Sequence, residues 1–402
     1  MNRLLVFDSH PVQYRVPVWK EMELMFPGSL HVAYASDCSI KGYNDKDFGK
    51  TLAWDEPLLE GYSYSILHAE KGTPLSGWRS LTGKGVREQI EKYSPTAILL
   101  TGLHYKYDFV AYMEASRRGI PVWLRCENQD IAFKRTPVKS IVRNWLYRIA
   151  YSGIKKFFFI GQLNRLHYLA HGVTSAKLLP AHYCTVNRFE KINDTMKVEL
   201  RMLARNNAGI AKSHLVLGFS GKFIYKKNPT ILYDMLQHLP RGLLENLTLY
   251  FVGSGELGEQ LKQKAIAAEK RFGVKTYFAG FINQTQLPEH YLAMDVLVLP
   301  SRRMGETWGL VANEAMQAGC SVIVSDAVGC SVDFGNWKRF GVFKENDEKA
   351  LAESVIRLST FDRDFDWATE KLRDYSVTSA AKSLTKELYK NSKGPHTLVI
   401  NA

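Results

Sequence analysis

The chain has 402 residues, a formal net charge of +13, and a composition that is 46% hydrophobic and 23% charged. This length predicts two domains, and the composition is that of an ordinary soluble globular protein. The amino terminus lacks the apolar run of a secretory signal, and the longest apolar stretches are too short to span a membrane. Five scattered cysteines without a C-x-x-C spacing exclude a disulfide framework or a zinc site and indicate reduced cytoplasmic thiols.

The predicted elements alternate between strands and helices along the chain, which is typical of parallel α/β units. The predicted strands of the first half are LLVFDS, LHVAYAS, AILLTG, VWLRCE and KFFFIG. Those of the second half are LVLGFSG, LTLYFVG, KTYFAG, DVLVLP, SVIVSD and GVFK. Between the halves lies a polar, charged, helical stretch that ends near NNAG and is typical of a linker. We therefore expect an α/β protein with two Rossmann-like domains of parallel sheets facing each other across a cleft.

The predicted boundaries are residues 1–190 for the first domain, 191–213 for the linker, 214–375 for the second domain and 376–393 for a closing helix. Open parallel sheets bind their ligands beyond the carboxyl ends of the strands. That rule selects the loops SHPVQYR, GLHYKYD and RCENQD in the first half. In the second half it selects SGKFIYKKN, VGSGE, AGFIN and PSRRMGETWG.

Positive charge is concentrated in the first half of the chain. No acidic residue occurs between residues 131 and 189, where Trp145, Tyr147 and Tyr151 stand among the lysines and arginines. This pattern favours an anionic partner, such as a phosphate or an acidic lipid surface. A solvated basic face is the plain alternative, and no recognisable nucleic-acid module is present, so we expect no nucleic-acid partner.

A glycine turn opens the second half. In GFSGKFIYKKNP, Gly221 and Lys222 directly follow a predicted strand, and Lys227 lies five residues further on. A glycine lets the backbone approach a phosphate, and two lysines would neutralise its charge. The stretch is neither a Walker loop nor, with VGSGEL, a dinucleotide fingerprint, and an ordinary turn is the alternative.

Two carboxylates lie in GETWGLVANEAMQAG, residues 305–319. Glu306 sits among loop residues, whereas Glu314 follows the apolar stripe of a predicted helix and needs a hydrogen-bond partner there. The helix should begin near Gly309, so the N–H groups of Gly309, Leu310 and Val311 would face a phosphate. The carboxylates could then accept from sugar and ribose hydroxyls; the alternative is a surface helix with a capping acid.

The second half resembles the retaining nucleotide-sugar glycosyltransferases of family 4, the glycosyl transferases group 1 with the GT-B fold. The resemblance is carried by Gly221-Lys222 where the family usually has Gly-Arg, by Lys227, by YFVGSGEL and YFAGFI, and by the E-x7-E of Glu306 and Glu314. VGCSVDF departs from the usual Gly-Gly-x-x-Glu. The closing YSVTSAAKSLTKELY is similar to the helix that crosses back onto the first domain.

The resemblance implies a nucleotide-diphosphate sugar as donor and assigns roles to these residues. Lys222 and Lys227 would hold the diphosphate, Glu306 the donor sugar and Glu314 the ribose. The implied donor-binding residues are Gly221, Gly253, Gly280, Phe281, Ile282, Thr307, Gly309, Leu310, Val311 and Glu314. The family retains anomeric configuration by front-face attack, which requires neither a metal nor a cofactor.

The first half resembles the family only in outline. SHPVQYRVP replaces the usual opening glycine pair, and Glu127 or a neighbour replaces a histidine that many members carry. His104 and Glu127 are candidates for catalytic contacts with the donor sugar. The acceptor-binding candidates are His10, Gln13, Tyr14 and Arg15.

The leading hypothesis is a cytoplasmic glycosyltransferase whose basic first domain lies on the inner membrane surface. Its acceptor would be a lipid-linked or membrane-proximal glycan, as in surface polysaccharide or lipopolysaccharide assembly. The alternatives are a nucleotide-sugar epimerase or phosphorylase of the same architecture, and a non-enzymatic sugar-binding protein that closes on a hinge.

No metal site is expected. The D-x-D patterns at residues 45–47 and 362–364 lie in predicted loops, where aspartates usually cap helices or turns. His167 and His171 share one helical face, but a zinc site needs further ligands. The pair His171-Gly172 is typical of the carboxyl terminus of a helix.

Overall fold

The computed structural model describes residues 2–40, 43–45, 50–52, 56–68, 75, 77–133 and 135–390, with only the backbone described at 43–45 and 50–52. Lys134, the Lys46 and Asp47 part of the first D-x-D pattern, and residues 391–393 of the predicted closing helix lie outside the described residues. The described part of the chain contains two parallel sheets with helices on both faces. This confirms the predicted fold class.

The strands are β1 (Leu4–Asp8), β2 (Leu30–Ser36), β3 (Tyr43–Asp45), β4 (Lys50–Leu52), β5 (Ser63–His68), β6 (Ala97–Leu100), β7 (Val122–Leu124), β8 (Lys156–Phe159), β9 (Leu178–Pro180), β10 (Leu215–Ser220), β11 (Leu247–Val252), β12 (Lys275–Gly280), β13 (Val296–Leu299), β14 (Ser321–Ser325) and β15 (Phe340–Phe343). The helices are α1 (Val16–Met25), α2 (Val86–Tyr93), α3 (Lys106–Arg117), α4 (Pro137–Ser152), α5 (Gln162–Ala170), α6 (Asp194–Asn207), α7 (Ile231–Asp234), α8 (Arg241–Leu244), α9 (Gly258–Phe272), α10 (Leu287–Ala293), α11 (Leu310–Gln317), α12 (Ser331–Phe334), α13 (Glu348–Leu358), α14 (Thr369–Leu372) and α15 (Val377–Tyr389).

Both sheets place their first strand in the interior. The sheet of the first lobe has the order β5-β2-β1-β6-β7-β8-β9, and that of the second lobe has the order β12-β11-β10-β13-β14-β15. Within each of these two sheets every paired strand is parallel, whereas β3 and β4 form a separate antiparallel pair. The strand order therefore reverses beside β1 and beside β10, and parallel sheets of this kind bind ligands at the carboxyl ends of the strands beside such a reversal.

Continuous apolar sequence produced the inner strands. All residues of β1, β2, β6, β11, β13 and β14 are buried, as expected where helices cover both faces of a parallel sheet. The sequence analysis missed β5 and β9, which lie at the two edges of the first sheet. Their residues are only partly buried or exposed, so they lack the apolar run by which the inner strands were recognised.

The two lobes are joined by more than the linker. One hydrophobic cluster contains Ile160 and Tyr183 of the first lobe together with Trp308 and Phe334 of the second. The closing helix α15 packs on α1, where Leu384 lies in one cluster with Trp19 of the first lobe. The linker helix α6, in contrast, is fixed to the second lobe. Its two arginines, Arg201 and Arg205, both pair with Asp295 and donate to the last carbonyl groups of α10.

Among the described residues, none of the helices has both the length and the hydrophobicity that crossing a membrane requires.

Candidate functional site

Three glycine turns follow neighbouring strands of the second sheet. The Gly221 N–H donates to the Val252 carbonyl at 3.0 Å, and the Gly253 N–H donates to the Gly280 carbonyl at 2.7 Å. Gly253 has φ +137°, and a Cβ there would lie 1.9 Å from the Gly221 carbonyl oxygen. Only glycine at position 253 therefore allows the first two turns to stack, and the three turns meet at the edge beyond β10, β11 and β12. Phe281 and Ile282, both partly buried, continue this edge.

The second predicted lysine meets the first predicted carboxylate. Lys227 ends a 3-10 turn, and its Nζ lies 2.5 Å from Oε2 of Glu306, which also accepts from the Ser301 hydroxyl at 3.2 Å. Burial raises the pKa of Glu306, but Lys227 and Lys226 outweigh that effect and hold the pKa below its usual value. A buried, ionised carboxylate thus stands beside an ammonium group at the end of β13. Lys222, partly exposed, lies in the adjacent turn.

The helix after Glu306 begins where the sequence predicted. Gly309 has φ +98°, and a Cβ there would lie 2.7 Å from Val328 and 2.8 Å from Leu299, so no other residue fits this corner. Helix α11 starts at Leu310, followed by Val311 in its first turn. The first N–H groups of a helix lack intrahelical acceptors and carry partial positive charge, which suits an anion at this position.

Glu314 lies one turn further along α11 and faces a narrow cavity between the lobes. Its Oε2 accepts from the Tyr291 hydroxyl at 2.7 Å. Burial raises the pKa of Glu314 to about 7, against the opposing effects of that hydrogen bond and of Arg188. The cavity has a volume of about 40 Å³ and is also lined by Gln13 and Tyr14 of the first lobe. The structure therefore places two predicted acceptor-binding residues beside a predicted ribose-binding one.

Arg15 organises the carboxyl edge of the first sheet. Its guanidinium forms an ion pair with the fully buried Asp8 at the end of β1 and donates to the Thr101 hydroxyl at 3.0 Å. The same guanidinium lies 3.5 Å from Oε1 of Glu127. Arg15 thus connects a buried aspartate to a carboxylate in the cleft. The sequence analysis missed Asp8, although an acidic residue at the end of a buried strand was a visible signal.

Glu127 contacts side chains of both lobes in the cleft. Its Oε1 accepts from the hydroxyls of Tyr183 and Tyr14, the latter at 3.1 Å, and its Oε2 accepts from the Thr307 hydroxyl of the second lobe at 3.2 Å. Burial raises the pKa of Glu127, but Arg15 and these three hydroxyls together lower it below its usual value. The carboxylate is therefore ionised at neutral pH, and its contact with Thr307 bridges the two lobes.

The two predicted histidines have different environments. His10 is partly buried and contacts the Ser9 hydroxyl through Nδ1 at 3.0 Å. Burial and the nearby Arg15 lower the pKa of His10 to about 4, so it is neutral at physiological pH. His104 is exposed just before α3, where its backbone N–H donates to Asp108 at 2.8 Å. The roles assigned to both histidines stay predictions.

Residues 127–133 of the first lobe lie along residues 302–307 of the second. The Gln129 amide donates to the carbonyls of Glu306 and Thr307, each at 3.3 Å, and the Gly305 N–H donates to the Ala132 carbonyl at 2.9 Å. The sequence analysis missed Gln129. Nothing in its neighbourhood marks it, because its role depends on a contact 177 residues away.

Asp333, a departure from the family pattern, forms a second link between the lobes. It is buried and accepts from the Gln162 N–H at the start of α5, at 3.1 Å, and from the Tyr375 hydroxyl at 3.1 Å. Burial raises the pKa of Asp333 to about 6, against the effect of both donors. An aspartate of the second lobe thereby caps a helix of the first.

Among the described residues, one group has the spacing of metal ligands: Asp130, His167 and His171. The His167 ring is already engaged at both nitrogens, with Asp130 at 3.0 Å and with the Tyr151 hydroxyl at 2.9 Å. Arg143 forms an ion pair with the same aspartate. A cation already neutralises the carboxylate, so these residues are a structural cluster. His171 caps the carboxyl end of α5, as expected.

Comparison with known proteins bears on the second lobe most directly. Residues 202–370 match the family model for Glycosyl transferases group 1. This match runs from α6 into α14 and supports the resemblance to that family. The chain is 28% identical over 235 residues to an uncharacterized glycosyltransferase of Methanocaldococcus jannaschii, covering 53% of this chain and 54% of that protein. It is 28% identical over 163 residues to a lipopolysaccharide 1,2-N-acetylglucosaminetransferase of Salmonella typhimurium, covering 39% of this chain and 40% of that protein. The matches thus span about half or less of the relatives.

Solved structures extend the likeness to the whole chain. The crystal structure of HepE from Anabaena in complex with UDP and glucose has a TM-score of 0.61 at 16% identity, covering 96% of this chain and 95% of that one. WaaG, a glycosyltransferase involved in lipopolysaccharide biosynthesis, has a TM-score of 0.58 at 14% identity, covering 97% of this chain and 100% of that one. At these identities the likeness shows the fold, which is the two-domain GT-B fold.

Proposed function

We propose that this protein is a glycosyltransferase that moves a sugar from a nucleotide-diphosphate sugar to an acceptor. The observation that carries the proposal is the pairing of Lys227 with the buried Glu306 between the glycine turns and the start of α11. That arrangement combines a cation, backbone donors and a carboxylate, which are the groups a sugar diphosphate needs. The family match of residues 202–370 supports it, and the complex of HepE with UDP and glucose makes a UDP-sugar the first donor to test.

In the proposed reaction Lys222 and Lys227 hold the diphosphate, and the amides after Thr307 hold its distal phosphate. Negative charge grows on the diphosphate as its bond to the sugar breaks. Fixed cations and helix N–H groups therefore stabilise the transition state more than the bound substrate. Glu306, which its neighbours keep ionised, accepts hydrogen bonds from the donor-sugar hydroxyls and holds the sugar in position. Glu314 accepts from the ribose.

The first lobe supplies the acceptor side of the proposed site. This lobe comprises residues 1–190. The residues that would contact the acceptor lie at the carboxyl edge of its sheet: His10, Gln13, Tyr14 and Arg15. Glu127 would contact the donor sugar from the opposite side of the cleft to Glu306, with His104 as a further candidate. In the proposed division, residues 191–213 would link this lobe to the donor lobe, 214–375, and the predicted segment 376–393 would close the fold. The acceptor would attack the same face of the sugar that the diphosphate leaves, which retains the anomeric configuration. The donor phosphate would accept the acceptor's proton, so this step requires no metal.

The proposed acceptor is a lipid-linked or membrane-proximal glycan on the cytoplasmic face of a membrane. Two observations support this class. The stretch from residue 131 to 189 is free of acidic residues and rich in lysine and arginine, which favours an anionic surface. The likeness to WaaG and to the Salmonella typhimurium enzyme points to lipopolysaccharide or surface polysaccharide assembly. All five cysteines are free, which agrees with a reducing compartment.

Thermal stabilisation by a panel of nucleotide sugars and free nucleotides tests the donor assignment. A ligand at a hundred times its Kd adds about 2.7 kcal/mol of stability, which is an easily measured shift in Tm. Glu314→Gln should weaken nucleotide binding, whereas Glu306→Gln should reduce transfer more than binding. If both variants changed both measurements alike, the two roles would be misassigned. Conversion of a nucleotide sugar into its epimer without any acceptor would favour an epimerase.

A further inference from the structure

Helix α4 of the first lobe presents its apolar side to solvent. Six large apolar side chains along it are 52–71% exposed: Val138, Ile141, Val142, Trp145, Leu146 and Ile149. Their spacing of three and four residues places them on one stripe of the helix. A surface helix normally turns such a stripe inward, so a stripe on the outside marks an interaction surface.

The opposite side of α4 is already occupied. Tyr151 is buried and contacts His167, while Arg143 lies over the Tyr147 ring at 4.6 Å and pairs with Asp130. These contacts fix the rotation of the helix about its axis. The apolar stripe therefore cannot turn into the core of the first lobe without breaking a buried polar cluster.

The apolar surface extends beyond the helix. Between α3 and α4 lies an open groove of about 960 Å³, lined almost entirely by apolar side chains that include Phe109, Met113 and Leu146. Trp78 stands beside Phe109 with ring centroids 6.0 Å apart, and both are about half exposed. The exposed surface is thus a continuous patch of aromatic and aliphatic groups and not an isolated exposed side chain.

Positive charge borders this patch. Lys139 and Arg148 are exposed on α4 itself, and Lys155 follows shortly after its end. No acidic residue occurs in the sequence from residue 131 to 189. An apolar stripe with a tryptophan, bordered by lysine and arginine, complements the boundary between acyl chains and anionic headgroups, where such helices lie in the plane of the membrane.

We propose that α4 inserts its apolar stripe into the acyl–headgroup boundary of an anionic bilayer and anchors the first lobe there. This goes beyond a charged surface, because the binding is carried by hydrocarbon contact as well as by charge. The position of α4 fits the role. Shortly before its start, the exposed Phe133 pairs through its backbone with Met304, at the edge of the cleft. The anchor would thus hold the cleft close to the membrane, where a lipid-linked acceptor lies. That consequence rests on the proposed function; the membrane binding itself does not.

Co-sedimentation with vesicles tests the anchor. We expect the protein to bind vesicles of phosphatidylcholine with about one-third phosphatidylglycerol. Part of this binding should persist at about 0.5 M salt, because charge is screened there and hydrocarbon contact is not. The double variant Ile141→Ser, Trp145→Ser should partition at least about tenfold less. Ile266→Ser is the matched control, since Ile266 is 70% exposed, like Ile141, but lies on α9 of the second lobe, and it should bind as the wild type does.

Other occupants of the patch have their own outcomes. Binding that salt abolishes, or that the double variant retains, would overturn the insertion. A wild-type dimer that the double variant dissociates, without vesicle binding, would assign the patch to a second copy and also overturn it. Stabilisation of the double variant by nucleotide sugars should equal that of the wild type, so a failed anchor is distinguished from a failed donor site.

Discussion

The two lobes share a strand order but build the loops at their carboxyl edges in different ways. In the second lobe the loops after β10, β11 and β12 meet through glycine backbone contacts, and each is specified by a short stretch of sequence. In the first lobe the corresponding edge is a network of side chains, in which Arg15 and Glu127 are 112 residues apart in sequence. Backbone shape that requires glycine permits few alternatives, whereas a network of side chains can be built from many residue types. The proposed donor side is therefore recognisable from the sequence, and the proposed acceptor side is not.

The largest expected effect concerns the second lobe. Replacing Lys227 by alanine removes a charge-assisted contact to the proposed diphosphate and breaks the ion pair of the buried Glu306. The loss should be about 1.5–3 kcal/mol, which lowers kcat/KM by about 10- to 150-fold. Steady-state kinetics with the donor identified in the panel measure it, and Lys262→Ala, on the exposed surface of α9, is the control. Activity within about twofold of the wild type would contradict the diphosphate role.

The first lobe can be tested separately through Glu127. Glu127→Gln keeps the size of the side chain but removes the charge that faces Arg15 and the three hydroxyl donors. We expect kcat to fall by about tenfold, while the Kd for a nucleotide sugar stays within about twofold. Glu60→Gln, at an exposed position of the same lobe, should change neither quantity. A variant that loses donor binding but keeps its kcat would assign Glu127 to binding of the donor and not to the transfer step.

These two substitutions also separate the part of the site that could be predicted from the sequence from the part that could not. Lys227, Glu306 and Glu314 were predicted from local patterns, and the structure brings the first two together. The contact between Glu127 and Thr307 spans 180 residues and both lobes, so no local pattern encodes it. Asp8 was missed although its place at the end of a buried strand was visible; what the sequence does not show is its contact with Thr101, which depends on the pairing of β1 with β6. The edge strands β5 and β9 were missed because their burial is incomplete.

Glu314 lies in the cavity between the lobes and gives a prediction for pH. Its pKa is raised to about 7, and ribose hydroxyls would donate to the ionised carboxylate. Donor affinity should therefore be lost as the pH falls through that value, by about tenfold between pH 8 and pH 6. Calorimetric titration with a nucleotide sugar measures this, since its phosphates do not titrate in that range. Glu314→Gln should bind more weakly at pH 8 and show a flat profile. The same slope in both proteins would rule out the carboxylate as its cause.

The smallest expected effect concerns the link between the lobes at Asp333. Its pKa in the folded protein is raised to about 6 from an ordinary value of 3.8, so the folded state binds the proton more tightly than the unfolded state does. The stability that this group contributes is complete below the unfolded pKa and is lost as the pH rises through about 6. The substitution Asp333→Asn introduces an amide that cannot titrate, and the amide oxygen can still accept from the Gln162 N–H and the Tyr375 hydroxyl. The Tm of this variant relative to the wild type should therefore rise between pH 4 and pH 7 by about 2–4 °C. Melting curves that stay parallel across this range would show that the link between the lobes does not depend on a buried proton.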